Sequence, residues 1–90
     1  MSEPTTRYQE VETLRDDCVV ATITKRIATD GKTHFSFRLQ REFEQNGKIK
    51  VTSYLGRRHI PAVVRIVGQV QDRIDILSDQ AKLDRAQSQA

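Results

Sequence analysis

The side chains that could do chemistry in this chain are cations and hydroxyls that recur at every second position through its middle. Such alternation with apolar residues is typical of β-strands that turn one face toward a core. Cations neutralise phosphates and release counterions, and an exposed ring can stack on an unpaired base. The pattern therefore predicts a nucleic-acid site on one face of a sheet. The candidates on the strands are Arg26, His34, Arg38, Lys48, Lys50 and Tyr54.

The distribution of charge favours the same region. Residues 1–17 carry two basic and five acidic side chains, residues 18–58 carry nine and three, and residues 59–90 carry four of each. A net charge of +3 therefore hides a basic middle that suits a polyanion. The alternative is that any one-sided sheet needs a polar face, for which Lys and Thr are ordinary choices. Each residue taken singly fits that alternative better, whereas the whole face favours the polyanion.

A second candidate anion site lies where a helix is expected to begin. Arg57, Arg58 and His59 stand just before Pro61, a residue that fits the first turn of a helix. Because a helix N-terminus attracts anions, this cluster could anchor a phosphate at the edge of the sheet. The alternative interpretation is a solvated loop.

Catalytic and metal-binding patterns find little support. The two histidines, His34 and His59, have no metal-ligand spacing, and a single cysteine, Cys18, allows neither an intrachain disulfide nor a Cys-based zinc site. The four glycines are scattered rather than gathered in a phosphate-binding loop. We expect a protein that is not an enzyme, with no cofactor, no metal and no small-molecule substrate.

Four strands are needed to position the candidates. They are predicted at residues 10–15, 18–27, 33–43 and 48–55, with hairpin turns at Asp30-Gly31 and Asn46-Gly47. Alternation predicts one apolar face, made by Val19, Ala21, Ile23, Ile27, Phe35, Phe37, Leu39, Phe43, Ile49, Val51 and Leu55. The opposite face would then hold the cations, with Thr22, Thr24, Ser36, Gln40 and Thr52. Lys25 and Arg41 fall on the apolar side, where we expect them at its rim.

One helix of about 20 residues is predicted after Pro61. Its apolar stripe has spacings of 3 and 4 and comprises Ile60, Val63, Val67, Val70, Ile74 and Leu77, flanked by Ile66 and Ile76. The fold class is therefore α+β, a four-stranded antiparallel meander followed by one long C-terminal helix (ββββα). A stripe of this length is large for so small a domain, which favours a homodimer through the helices. The predicted dimer interface comprises Val63, Ile66, Val67, Val70, Ile74 and Leu77.

The chain is expected to form one domain at residues 10–77. A flexible N-terminus would occupy residues 1–9, and residues 78–90 would form a polar tail that could extend the helix or fray. We expect no membrane partner, because no apolar run approaches the length of a span, and no secretion, because the N-terminus is polar. The expected location is cytoplasmic, and nucleoid-associated if the protein is bacterial.

Three segments together resemble a known family. They are residues 30–39 (DGKTHFSFRL), residues 46–55 with their Asn-Gly-Lys turn, and the helix start Ile60-Pro61-Ala62. This layout resembles the positive cofactor 4 family of transcriptional coactivators and its Whirly relatives. It is also similar to small uncharacterised bacterial proteins with a Gly-Lys hairpin and a Leu/Ile-Pro-Ala helix start. The chain departs from the coactivators in having no tryptophan and no Ser-rich regulatory segment.

The resemblance implies a dimer joined through its helices and single-stranded nucleic acid lying across the outer sheet surfaces. It implies a role in transcription, replication or repair. The strand and hairpin cations would be Arg26, Lys32, Arg38, Lys48 and Lys50, and Tyr54 would be the stacking ring. A rival hypothesis is a protein-interaction module, in which the basic face meets an acidic partner or a strand edge accepts an added strand.

Overall fold

A computed structural model describes the backbone of residues 8–88 and the side chains of residues 8–84. Four strands, β1 (Tyr8–Asp16), β2 (Val19–Ile27), β3 (Thr33–Gln45) and β4 (Lys48–Thr52), precede a 3₁₀ turn (Arg57–His59) and one helix, α1 (Ile60–Ser88). The strands form a sheet in the order β1-β2-β3-β4, and every neighbouring pair is antiparallel. The predicted ββββα meander of the α+β class is confirmed.

Turn chemistry sets the connections between the strands. Asn46 and Gly47 both have positive φ, 54° and 75°, as a two-residue hairpin turn requires. Gly31 has φ 83°, and the Asp30 carboxylate accepts a hydrogen bond from the Lys32 N–H at 2.9 Å. Asp17, with φ 56°, turns the chain between β1 and β2. The two predicted hairpins are therefore present.

The core lies between α1 and the first three strands. Its buried side chains are Val19, Ala21 and Ile23 from β2 and Ala62, Ile66 and Val70 from α1. Burying a side chain of Ile or Val size stabilises the fold by about 1.5–3 kcal/mol, so these few residues hold the helix on the sheet. Within residues 8–88, no helix is both long and apolar enough to cross a membrane.

The rotation of α1 differs from the predicted stripe. Ala62, Ile66 and Val70 point into the core, whereas Ile60 and Val67, both members of the predicted stripe, are exposed. Two ion pairs join the helix to β1: Arg65 binds Asp16 through Nε and Nη2, both at 2.9 Å, and Arg73 binds Glu12. The apolar residues cover a wider arc of the helix than the predicted stripe, and packing on β2 buries the part of that arc that holds Ala62, Ile66 and Val70.

Both ends of the secondary structure extend beyond their predicted bounds. Residues 78–88, expected as a polar tail that could extend the helix or fray, continue α1 through to Ser88. Tyr8 and Gln9, assigned to the flexible N-terminus, belong to β1. The remaining parts of those predictions, residues 1–7 and 89–90, lie outside the described residues.

A two-stranded arm projects from the sheet. β3 pairs with β2 from Thr33 to Arg41, and it pairs with β4 only from Arg41 to Gln45. The Glu42 N–H donates to the Cys18 carbonyl at 2.9 Å, where the β1–β2 turn ends. Residues 41–52, called the arm below, therefore extend past the end of β2.

Candidate nucleic-acid interface

The register of the arm places its lysines on the side of the sheet that faces α1. Lys50 pairs with Phe43, and Lys48 pairs with Gln45. Cross-strand partners point to the same side. Phe43 in turn shares its side with Phe35, which packs on the core. The prediction that Lys48, Lys50 and Thr52 share a face with Arg38 is therefore wrong.

The sequence contained the signal that was missed. A two-residue turn at Asn46-Gly47 forces Gln45 to pair with Lys48, so partners across this hairpin have numbers of opposite parity. The side of β3 that carries odd-numbered Phe43 must then continue on β4 with even-numbered Lys50. For the same reason Ile49 and Val51, predicted on the apolar side, lie on the outer side of the arm with Glu44 and Glu42.

The outer face of the sheet is not an open basic surface. Arg38 reaches Glu10 on β1 at 3.0 Å, and Arg15 forms an ion pair with Glu42 on β3. Both ion pairs cross over the central strand β2. Val20 and Thr22 of β2 lie on this outer face, away from α1, and are nevertheless only 8% and 6% exposed.

The two ion pairs change the electrostatics of that face. They place Glu10 and Glu42 among its arginines and so reduce its attraction for phosphate. The expectation of a basic outer face is wrong because carboxylates from β1 and β3 reach over it. Arg26 and His34 stay on this face as cross-strand partners, and Lys32 lies in the β2–β3 turn.

The basic residues gather instead on one side of the arm. Arg41 places its guanidinium over the Phe43 ring, 5.4 Å from the centroid, and its Nε donates to the Tyr54 carbonyl at 3.2 Å. Lys48 and Lys50 follow on the same side and are exposed. We call Arg41, Phe43, Lys48, Lys50 and Thr52 the basic side of the arm. Glu42 and Glu44 lie on its opposite side.

Tyr54 follows β4 and presents its ring to solvent. Its N–H donates to the Thr52 hydroxyl at 3.1 Å, and its carbonyl accepts from Arg41, so the backbone is held at both groups. The side chain is 83% exposed. A fixed backbone with a solvent-exposed ring beside the arm suits stacking on a nucleobase.

The helix start divides into a structural residue and two exposed cations. His59 is 9% exposed, and its Nδ1 accepts a hydrogen bond from the Gly56 N–H at 2.8 Å. The His59 N–H donates to the Gly56 carbonyl at 3.0 Å, which makes a reciprocal cap. Arg57 and Arg58 remain exposed, so only these two cations of the predicted cluster are free to contact an anion.

Arg58 is the link between the helix start and the arm. It lines a hollow at the end of the sheet with Arg41, Glu42 and Cys18. His59 borders the same hollow, whereas His34 pairs with Arg26 toward the opposite end of β3. The two histidines are therefore brought to different ends of the sheet.

Most of the residues predicted for the dimer interface pack in or against the chain's own core. Ile66 and Val70 are buried against the sheet, and Val63, Ile74 and Leu77 pack around that core. Val67 alone of the predicted set is among the exposed large hydrophobic residues. The prediction missed Ile60 and Val64, which are exposed on the same flank of α1 as Val67.

The sheet contributes to this exposed apolar surface. Ser78 and Lys82 line a hollow with residues at the start of β3. Val67 and Ser78 are 11 positions apart, about three helical turns, so the flank that carries Val67 faces β3. There Phe37, on the α1 side of β3, is 43% exposed. We call Phe37, Ile60, Val64 and Val67 the flank patch.

The comparisons with known proteins return no relative for this chain. No protein-family model, no curated protein and no solved structure matches it.

Proposed function

We propose that this chain binds single-stranded nucleic acid, with DNA as the first candidate, as a non-enzymatic accessory in transcription, replication or repair. The observation that carries the proposal is the segregation of charge across the arm. Lys48, Lys50 and Arg41 lie on one side, while Glu42 and Glu44 lie on the other. Arg57 and Arg58 add two exposed cations near the base of the arm.

Phosphate contacts would supply most of the affinity. Each cation that neutralises a phosphate of a single strand lowers the logarithm of the binding constant by about 0.7 per tenfold rise in salt. The five cations of the arm and helix start therefore correspond to a slope of up to about −3.5. The proposed site differs from the site predicted on the outer face of the sheet. Lys48 and Lys50 lie on the α1 side of the sheet, and the outer face holds ion pairs.

Two rings give the proposal its preference for unpaired bases. Phe43 lies among the cations of the basic side, and Tyr54 is exposed at the base of the arm. Stacking of one base on an aromatic ring contributes about 1–3 kcal/mol and tolerates any sequence. A duplex keeps its bases stacked inside the helix, so it would gain the phosphate contacts without the stacking.

Binding of a fluorescein-labelled 20-mer oligothymidylate, followed by anisotropy with unlabelled duplex as competitor, tests the proposal. We expect binding that weakens with salt and that duplex displaces poorly. If the folded protein binds no single strand at low salt, the proposal is overturned. The basic side of the arm would then be assigned to an acidic protein partner, the alternative that the sequence left open.

We also propose a homodimer, with the flank patch as its interface. Clustered exposed apolar side chains on a small domain mark interaction surfaces. Val64→Glu would put a charge into this contact, whereas Ile76→Glu makes the same change at an exposed residue on another flank of α1. Sedimentation equilibrium should show a dimer for the Ile76→Glu variant and a monomer for Val64→Glu. Equal masses for the two variants would contradict this interface.

A further inference from the structure

The outer edge of β4 is open. β4 is the last strand of the sheet, and within the described residues only β3 pairs with it. In a two-residue hairpin, the pair that flanks the turn exchanges both hydrogen bonds, and hydrogen-bonded pairs then alternate along the strands. Lys48 and Lys50 therefore turn their backbone groups toward β3. Ile49 and Val51 turn theirs toward the open edge.

The side chains along that edge are segregated as well. Ile49 and Val51 are 66% and 52% exposed on the outer side of the arm, and the lysines occupy the basic side. Because β3 lies between β4 and the other two strands, neither β1 nor β2 lies beside this edge. The arm thus offers backbone donors and acceptors, two β-branched apolar side chains and a row of cations.

We propose that, when nucleic acid occupies the basic side, the arms of two copies pair antiparallel through their β4 edges. This inference rests on the proposed function. A two-fold axis perpendicular to the sheet at Lys50 places Ile49 opposite the partner's Val51, and Val51 opposite the partner's Ile49. These are the residues whose backbone groups point outward, so the register satisfies four backbone groups on each copy and uses all five residues of β4.

Charge makes this pairing depend on the bound strand. Lys50 stands directly opposite the partner's Lys50, at a Cα separation of about 4.5 Å in a non-hydrogen-bonded pair. Like charges in that position oppose pairing, and lysines on an edge strand discourage association of free chains. Phosphates lying along the basic side neutralise both lysines and remove the repulsion. The free protein therefore keeps its edge open, and the bound protein assembles along the strand.

The consequence to measure is cooperativity on long strands. An oligothymidylate of about 12 nucleotides takes one copy of the site, and one of about 60 nucleotides takes several neighbouring copies. We expect the midpoint concentration on the long strand to be at least about tenfold lower than on the short strand, after correction for the number of overlapping sites. Val51→Pro removes an outward N–H that β3 does not use, and proline is tolerated in that position of an edge strand.

Val51→Pro should bind the short strand as the wild type does and lose the tenfold gain on the long strand. Ile49→Thr keeps the strand propensity of β4 and weakens the apolar contact, so it should lose part of the gain even if the proline disturbs the arm. Ile27→Thr is the matched control, because Ile27 is also an exposed isoleucine but lies at the end of β2. It should keep the full gain.

Three results would overturn the inference, and they differ from one another. Wild-type binding to the short strand without any gain on the long strand rejects arm pairing and leaves the proposed function intact. A gain that Ile49→Thr and Ile27→Thr reduce equally also rejects it. No binding to the short strand rejects the proposed function and arm pairing together.

Discussion

Replacing both lysines of the arm should weaken binding by an amount that salt controls. The Lys48→Ala, Lys50→Ala double variant removes two phosphate contacts from the basic side. Each contact contributes a slope of about 0.7, so the variant should bind single strands with a salt slope smaller by about 1.4. Extrapolated from a common value near 1 M salt, this is a loss of about 25-fold at 0.1 M, or about 1.9 kcal/mol.

The same arithmetic gives only about a fourfold loss at 0.4 M salt. The assay is anisotropy of a labelled oligothymidylate titrated at several salt concentrations. Lys32→Ala with Lys82→Ala is the matched control, since it removes the same charge from exposed lysines away from the arm. The change should also be uniform across sequences, because phosphates are the same in all of them.

Two outcomes would refute the reasoning. An equal loss in the arm variant and in the control would mean that net charge, rather than the arm, governs binding. A loss in the arm variant that stays constant between low and high salt would mean that the lysines do not act through phosphate contacts. Circular dichroism must show that all variants remain folded.

Three further predictions concern the ring, the helix cap and the acid side of the stability curve. Tyr54→Ala should weaken binding to single strands by about 1–3 kcal/mol with an unchanged salt slope, measured in the same anisotropy titrations; a changed slope with no other loss would contradict stacking. His59→Ala should lower the free energy of urea unfolding by about 0.5–2 kcal/mol because the Gly56 N–H loses its acceptor, whereas His59→Gln, which can reach back in a capping box, should recover part of that loss. The Arg65 guanidinium lowers the pKa of the Asp16 carboxyl below its ordinary value of 3.8, so its stabilising effect is present above that value and is lost as pH falls through the folded pKa. The stability difference between wild type and Asp16→Asn should therefore shrink in acid, and a difference that is constant with pH in urea unfolding would rule this linkage out.

Local signals predicted most of the fold. The β-branched and aromatic alternation in β2 and β3 and the two Gly-containing turns predicted β2, β3 and β4 and their order, because these features act over a few neighbouring residues. The pairing of β1 beside β2 is known only from the structure. The sides of β2 were also predicted correctly: Val19, Ala21 and Ile23 face the helix. Lys25 and Arg41 fall on that side, where both are half-buried.

The candidate site was predicted less well. Alternation within one strand does not fix which of its faces continues on the next strand, whereas the two-residue turn at Asn46-Gly47 does, and it requires Lys50 to lie beside Phe43. The side on which the arm lysines lie is therefore contained in the sequence. The ion pair of Arg38 with Glu10 could not be predicted from the sequence, since it joins residues 28 positions apart whose side chains meet only after β1, β2 and β3 have paired.

The sequence by itself determined the element order, the turns and the excess of positive charge in the middle of the chain, because each is a property of local segments or of composition. Tertiary structure decided which of those charges remain available to a partner. Pairing of the strands set Glu10 against Arg38 and Glu42 against Arg15, while the register of the arm put Lys48 and Lys50 on the side opposite to Glu42. Electrostatic interaction depends on distance in space, and only the folded chain fixes those distances.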